Sequence, residues 1–267
     1  MKNKYHYTFL LGVKESIEYR LDFFIKLISS VFPIIIHVFL WKTIFSASNK
    51  DVMFGYSFKQ LILYTILASI VTKLIATNFE GIISQEIKLG GLNQYLVKPM
   101  NYFSYKFFHY LGEKSVVYIM ITVIILFILI NLFIFYEITF SIYQLLFFLL
   151  SLIFSILIKF LLSFALSQLT FWLLEVTGIF NIVRVLMIIV SGGMFPVTVF
   201  KGTFLEIIQY LPFKFLVFFP VNILTGKITM TEIYNGLISQ MFWILVFSLL
   251  AYVVWKRGIK KYVAVGG

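Results

Sequence analysis

"IYQLLFFLLSLIFSILIKFLLSFALSQLTFWLL", Ile142 to Leu174, contains one charged residue, Lys159, and no proline or glycine. An amphipathic helix of a water-soluble domain keeps a polar face, and this run has none wide enough. It exceeds the roughly 20 residues that a helix needs to cross about 30 Å of hydrocarbon. With nothing to break it, it predicts one long helix that tilts or projects beyond the bilayer. Five other stretches predict spans: Phe23 to Phe45, Phe58 to Thr77, Val116 to Tyr136, Gly178 to Phe200 and Ile233 to Trp255. Composition agrees, since 61% of the 267 residues are hydrophobic, 12% are charged and the mean hydropathy is +0.99. The expectation is an all-α polytopic membrane protein of six transmembrane helices, one domain over residues 1–267.

An even number of spans puts both termini on one side. With the termini inside, 16 of the 22 Lys and Arg lie on or near the inner side, against six outside (Lys42, Lys50, Lys59, Lys201, Lys214 and Lys227). The positive-inside rule selects that orientation. No basic run is long enough to track phosphates, so nucleic acid is not an expected partner. Cysteine is absent, which excludes disulfides, thiolate catalysis and Cys-ligated metals. The N-terminal stretch is too interrupted by charge for a cleavable signal, and we expect it to be retained.

Two segments depart from plain spans. Over residues 4–20, Phe9, Val13 and Ile17 recur every fourth position, broadened by Leu10 and Leu21, with Lys14, Glu15, Glu18 and Arg20 opposite. This predicts an amphipathic helix in the headgroup plane, the alternative being a simple extension of the first span. After the fifth span, "SGGMFPVTVFKGTFLEIIQYLPFKFLVFFPVNILTG" holds three of the five prolines, and neither of its apolar pieces is long enough to cross. Over 201–226 it predicts an extracellular re-entrant pair of short helices dipping into the outer leaflet, because broken backbone at membrane depth needs protein around it. The alternative is an outer loop with hydrophobic patches. No internal repeat of the inverted-repeat kind is present.

Between spans two and three, residues 79–100 carry "EGIISQEIKLGGLNQYLVKP". Ile82, Ile83, Ile87 and Leu92 fall near one face of a short helix, with Glu80, Gln85, Glu86 and Lys88 around it. Gly90 and Gly91 end that helix and Pro99 closes the return, giving a compact inner knob. The order of Glu-containing helix, Gly-Gly-Leu, Tyr-Leu and Lys-Pro resembles the coupling-helix loop of bacterial type-2 ATP-binding-cassette (ABC) exporter permeases. It is similar to the six-span permeases whose loop reads I..G.L...L.KP. The "SGGMFPVTVF", "YLPF" and "FPVNILTG" segments, and the terminal pattern of Trp255, Gly258 and Tyr262, follow in the order of that family. Where such permeases often carry Arg in the coupling segment, this chain has Lys88 and Lys98.

The resemblance implies a bacterial plasma-membrane subunit with both termini cytoplasmic, paired with a second permease copy or a sister permease. A separate ABC ATPase would dock beneath the knob, on Glu80, Gly81, Gln85, Glu86, Lys88 and Leu92. The cargo class implied is hydrophobic or amphipathic: a lipid, a peptide antibiotic or a drug. The chain has no G-x-x-x-x-G-K-[ST], so it would bind no cofactor itself and ATP-Mg would sit in the partner. At the single Gly-Lys pair, Gly226 and Lys227, Val221 stands where the first glycine belongs and Ile228 where the hydroxyl belongs.

Enzymatic chemistry finds little support, since His6, His37 and His109 are scattered with no second ligand at helical spacing. Nearly all of the eleven acids fall at span ends or in loops and none sits near a span midpoint, which disfavours the first rival reading, an ion-driven carrier. The second rival is a non-transport immunity or scaffold protein, and co-purification of an ATPase discriminates among all three. Lys73, Lys159 and Arg184 lie toward the inner half, placed either to snorkel or to attract an anionic headgroup or substrate, with Lys159 deepest. Trp41, Phe45, Phe195 and Phe200 are candidates, with Lys159, for a substrate path; an aromatic belt among the membrane lipids is the simpler alternative for the four rings.

Overall fold

The computed structural model describes residues 3–18, 25, 29, 31–48, 50–136, 141–173 and 175–262. Residues 19 and 20 of the expected interfacial helix, most of the first span before Val31, and Leu174 lie outside the described residues. Contacts divide the chain into two compact units, one containing residues 3–18 and 85–136, the other 31–84 and 141–262.

The second unit begins with α2 (Val31–Ser48), a two-stranded hairpin of β1 (Val52–Met53) and β2 (Tyr56–Ser57), and α3 (Phe58–Ile75). It continues with the start of α4 (Phe79–Lys88), then α7 (Ile142–Ser167), prolonged by a 3-10 turn to Phe171, and α8 (Thr177–Val190). The last elements are α9 (Gly202–Tyr210), α10 (Phe218–Leu224) and α11 (Met230–Gly258). Ser57 caps α3 and Thr229 caps α11, each with a Gln or Glu three residues on returning the bond to the cap's own amide.

Four helical stretches are long and apolar enough to cross a membrane among the described residues: Val31–Ser48, Phe58–Lys88, Ile142–Phe171 and Met230–Gly258. They correspond to the expected first, second, fourth and sixth spans. The count rises to five if Gly202–Tyr210 and Pro212–Leu224, bent by 64° at Leu211, form one broken span. The fifth expected span is shorter than predicted, its helix ending at Val190 after 14 residues. The cause is local: Gly192 takes φ +84°, Gly193 N–H bonds to Ile188 O at 2.9 Å, and the chain turns away.

Helices α7 and α11 run parallel, with contacts that advance in step: Phe147 on Tyr234, Gln240 on Ser151 and Ser155, Phe164 on Trp255. At the far end Phe171 meets Trp255 and Tyr262, its ring lying where a side chain on Gly258 would sit. The Trp-x-x-Gly-x-x-x-Tyr pattern is thus one aromatic cluster.

Between these helices the chain break at 211–217 is held by polar side chains. The Phe215 carbonyl accepts from Gln240 Nε2 at 3.0 Å and, at 2.8 Å, from Ser155 Oγ, whose one proton is shared with the Ser151 carbonyl at 2.9 Å. Ser155 and Gln240 lie about 20 Å and about 15 Å along their helices from Ile142 and Met230. The break therefore reaches deep between two apolar helices. Gln240→Leu alone should cost no more than about 1.5 kcal/mol, because Ser155 still serves the Phe215 carbonyl. Joined to Ser155→Ala it leaves that carbonyl without a donor, and the loss should exceed the sum of the singles by about 1 kcal/mol. Thermal melts of the four proteins in detergent check this; strict additivity contradicts it.

In the first unit, α1 (Asn3–Glu18) packs along the early turns of α6 (Tyr102–Tyr136), a 35-residue helix that covers the expected third span. A Cβ on Gly12 would overlap the His109 carbonyl, and one on Gly112 would overlap the Phe9 carbonyl, so the two backbones touch. Tyr5 and Phe108 rings lie 5.0 Å apart and Glu15 pairs with His109 at 3.2 Å. The stripe read as membrane-facing thus has a protein partner over Phe9 to Val13.

Candidate functional site

Helix α7 carries a polar residue every fourth position: Ser151, Ser155, Lys159, Ser163 and Ser167, all buried. At that spacing they share one helix face. Two of the serines meet a place where the backbone is irregular or a charge is buried. Ser155 serves the Phe215 carbonyl. Ser163 donates to Glu80 Oε1 at 2.7 Å, and Thr77 donates to the same oxygen at 2.8 Å. Glu80 Oε2 is buried with no partner. Sequence reading registered Lys159 alone; the signal was the repeat S-x-x-x-S-x-x-x-K-x-x-x-S-x-x-x-S.

Beside Lys159 lies a cavity of about 100 Å³. Its polar lining comes from the end of α3 and the turn after it (Thr72, Thr77, Asn78), from α7 (Lys159) and from α8 (Arg184), with Ser191 just beyond. Lys159 Nζ contacts Met187 Sδ at 3.5 Å, and no carboxylate lies in ion-pair range of it among the described residues.

In the first unit, the segment after Gln85 is anchored to α6. Glu86 pairs with Lys106 at 2.6 Å and accepts from Tyr102 at 2.5 Å and Tyr95 at 3.2 Å. The Lys106 ammonium lies 5.1, 5.5 and 5.8 Å from the ring centroids of Tyr95, Tyr102 and Tyr105, a three-sided aromatic cage. Burial lowers the Lys106 pKa, and the Glu86 charge acts in the opposite direction. Burial first, then the same carboxylate, raises Tyr102 and Tyr95 well above the ordinary phenol range, which keeps both as donors. After Lys88 the chain turns at Gly90, φ +78°, into α5 (Asn93–Leu96), as the glycine pair predicted.

The six expected docking residues divide by exposure. Gly81 and Gln85 are exposed and Lys88 is half-buried, whereas Glu86 is held by Lys106, Tyr102 and Tyr95. Glu80 and Leu92 are buried, Glu80 by Thr77 and Ser163, Leu92 fully. The helix phase explains part of this. The inner stripe of α4 is Phe79, Glu80, Ile83, Ser84 and Ile87, so Ile82, assigned to that stripe from sequence, is exposed. Beyond Gln85, Leu89 (78% exposed), Leu96 (46%) and Val97 (83%) present apolar side chains outward, and sequence reading missed them because they sit among glycines and charges.

The expected path residues form separate groups. Trp41 is buried against Phe54, Phe45 meets Phe58 at 5.5 Å, and Phe195 meets Phe200 at 6.2 Å. Thr198 donates to the Phe54 carbonyl at 2.8 Å, so the hairpin tip links the Trp41 side to the 197–199 turn. Lys159 belongs to the cavity.

Among the described residues no group of three His, Asp or Glu side chains is placed to hold a metal ion. Long apolar helices and broken backbone held by buried polar side chains define a multi-pass membrane protein. The chain belongs to the ABC-2 transporter family, whose model, described as an ABC-2 family transporter protein, matches residues 31–266. It is thus a membrane component of an ABC transporter. No curated protein matches it.

Proposed function

We propose that this chain is the permease half of an ATP-driven exporter in a bacterial plasma membrane, working as a dimer with itself or a sister permease. It moves a hydrophobic or amphipathic cargo outward. Both termini are cytoplasmic, six spans form one permease domain over 1–267, and the segment 201–226 is re-entrant from the outer side. The depth of the Phe215 carbonyl, fed by Ser155 and Gln240, supports the last point.

The observation that carries the reading is the knob. Its exposed apolar residues Leu89, Leu96 and Val97 stand beside exposed Gln85, on a scaffold fixed to α6 by the buried Glu86–Lys106 pair. A rigid mount under an exposed apolar surface is what a push from a neighbouring subunit requires. In this reading Gly81, Gln85 and Lys88 touch the ATPase with Leu89, Leu96 and Val97, while Glu80, Glu86 and Leu92 hold the knob's shape.

The chain lacks cysteine, so Gln85→Cys provides the sole thiol. It should cross-link to a co-purifying ATPase and stay unlabelled by an impermeant maleimide applied to intact cells. Labelling from outside would overturn the reading.

A further inference from the structure

We propose that the cavity beside Lys159 and Arg184 binds the oxyanion head group of an amphiphile, a phosphate above all, with the apolar tail left outside. Charge carries the argument. Lys159 is 7% exposed, and its nearest polar partner is a thioether, a weak acceptor. Arg184 lines the same cavity. Glu80 is the one carboxylate acting on Lys159 among the described residues, and its Oε1 is already engaged by Thr77 and Ser163. Lys159 is thus buried with no carboxylate in ion-pair range among the described residues, within helices apolar enough to lie in lipid, and Arg184 adds a second cation at the exposed edge of the cavity. An unpaired charge there is costly, and an anionic ligand relieves it.

The remaining lining suits an oxyanion. Thr72 Oγ1 is buried without a partner, and Asn78 and Ser191 also line the space, the Ser191 hydroxyl donating to the Ile188 carbonyl at 3.2 Å. Arg184 supplies a planar fork at the exposed edge, and Lys159 supplies a point charge inside. The volume, about 100 Å³ against the roughly 150 Å³ that holds benzene, is on the scale of a small oxyanion, and the cavity is partly open, so a tail can leave it. Ile188, which lines the cavity and is itself exposed, gives an apolar edge for the tail.

This deepens the transport reading by giving the amphiphile a charge, and its test is a binding measurement that needs no ATPase, so either can fail without the other. The full chain in a non-ionic detergent is melted with dihexanoyl phosphatidylglycerol, dihexanoyl phosphatidylcholine or inorganic phosphate. Phosphatidylglycerol should raise the Tm by about 5 °C and phosphatidylcholine should not. Lys159→Met and Arg184→Gln should each weaken the effect about tenfold. A variant-sensitive shift with inorganic phosphate alone would identify the free oxyanion as sufficient and still supports the site. Equal shifts with the two lipids, no shift with either phosphatidylglycerol or phosphate, or a phosphatidylglycerol shift unchanged in Arg184→Gln would overturn the proposal. The exposed Arg184 carries the test should Lys159→Met fail to fold.

Discussion

Glu86→Leu should be the most destabilising single change in the loop, costing about 3–5 kcal/mol and roughly 10 °C of Tm. The substitution removes the carboxylate and leaves the Lys106 ammonium, 8% exposed, among three tyrosine rings. The rings offer some cation–π compensation, about 1–2 kcal/mol, which falls short of the desolvation that the ion pair had offset. Two phenol donors lose their acceptor at the same time. Adding Lys106→Met should restore most of the Tm, since a buried pair replaced by apolar groups is often neutral. Transport in vesicles, with the ATPase present, separates the two roles. If the double variant regains its Tm yet stays more than about tenfold slow, the pair transmits the push as well as stabilising the loop. An unchanged Tm in Glu86→Leu would show that the pair is not buried as described.

Gly112→Leu should separate α1 from α6. Even its Cβ lands on the Phe9 carbonyl, and backbone cannot step aside as a side chain can. Overpacking of this kind costs about 3 kcal/mol. The readout is a cross-link between Tyr5→Cys and Phe108→Cys, whose native rings lie 5.0 Å apart, in a chain with no other thiol. It should form readily with Gly112 and be lost with Gly112→Leu. Gly112→Ala should already reduce it, and equal yields in all three would mean the helices do not touch there.

The long apolar helices were legible because hydrophobic length is a property of consecutive residues. The stop at Gly90 was legible for a similar reason, as glycine at a helix end answers a local backbone demand, whereas the stop at Gly192 was hidden inside a run apolar enough to continue to Phe200. The identity of the partners was not. Glu86 and Lys106 are 20 positions apart, and their union depends on how the loop folds back onto α6. Glu80 is expected from the sequence to face a docking partner, yet Thr77 and Ser163 receive it inside; Ser163 lies 83 positions away. Ile82 failed for a subtler cause: with isoleucines at 82, 83 and 87, several helix phases look equally apolar, and only the packed face decides. The hairpin at 52–57 was missed because its turn places Phe54 at φ +55°, where a sequence reader looks for Asn or Asp. The four-residue polar repeat of α7 was present in the letters and went unread, diluted by leucine and phenylalanine.

Helix α6 continues without interruption for 35 residues, a rod about 50 Å long. Only about 30 Å of such a rod fits within hydrocarbon, so some 20 Å must stand in water or headgroups. The mounted loop grips that protruding end, beside the glycine crossing with α1. Swinging it by 10° about its midpoint would shift each tip by about 4 Å, nearly one helical turn. A modest stroke on one side of the bilayer would thereby arrive at the opposite face as a displacement wide enough to change which side chains meet.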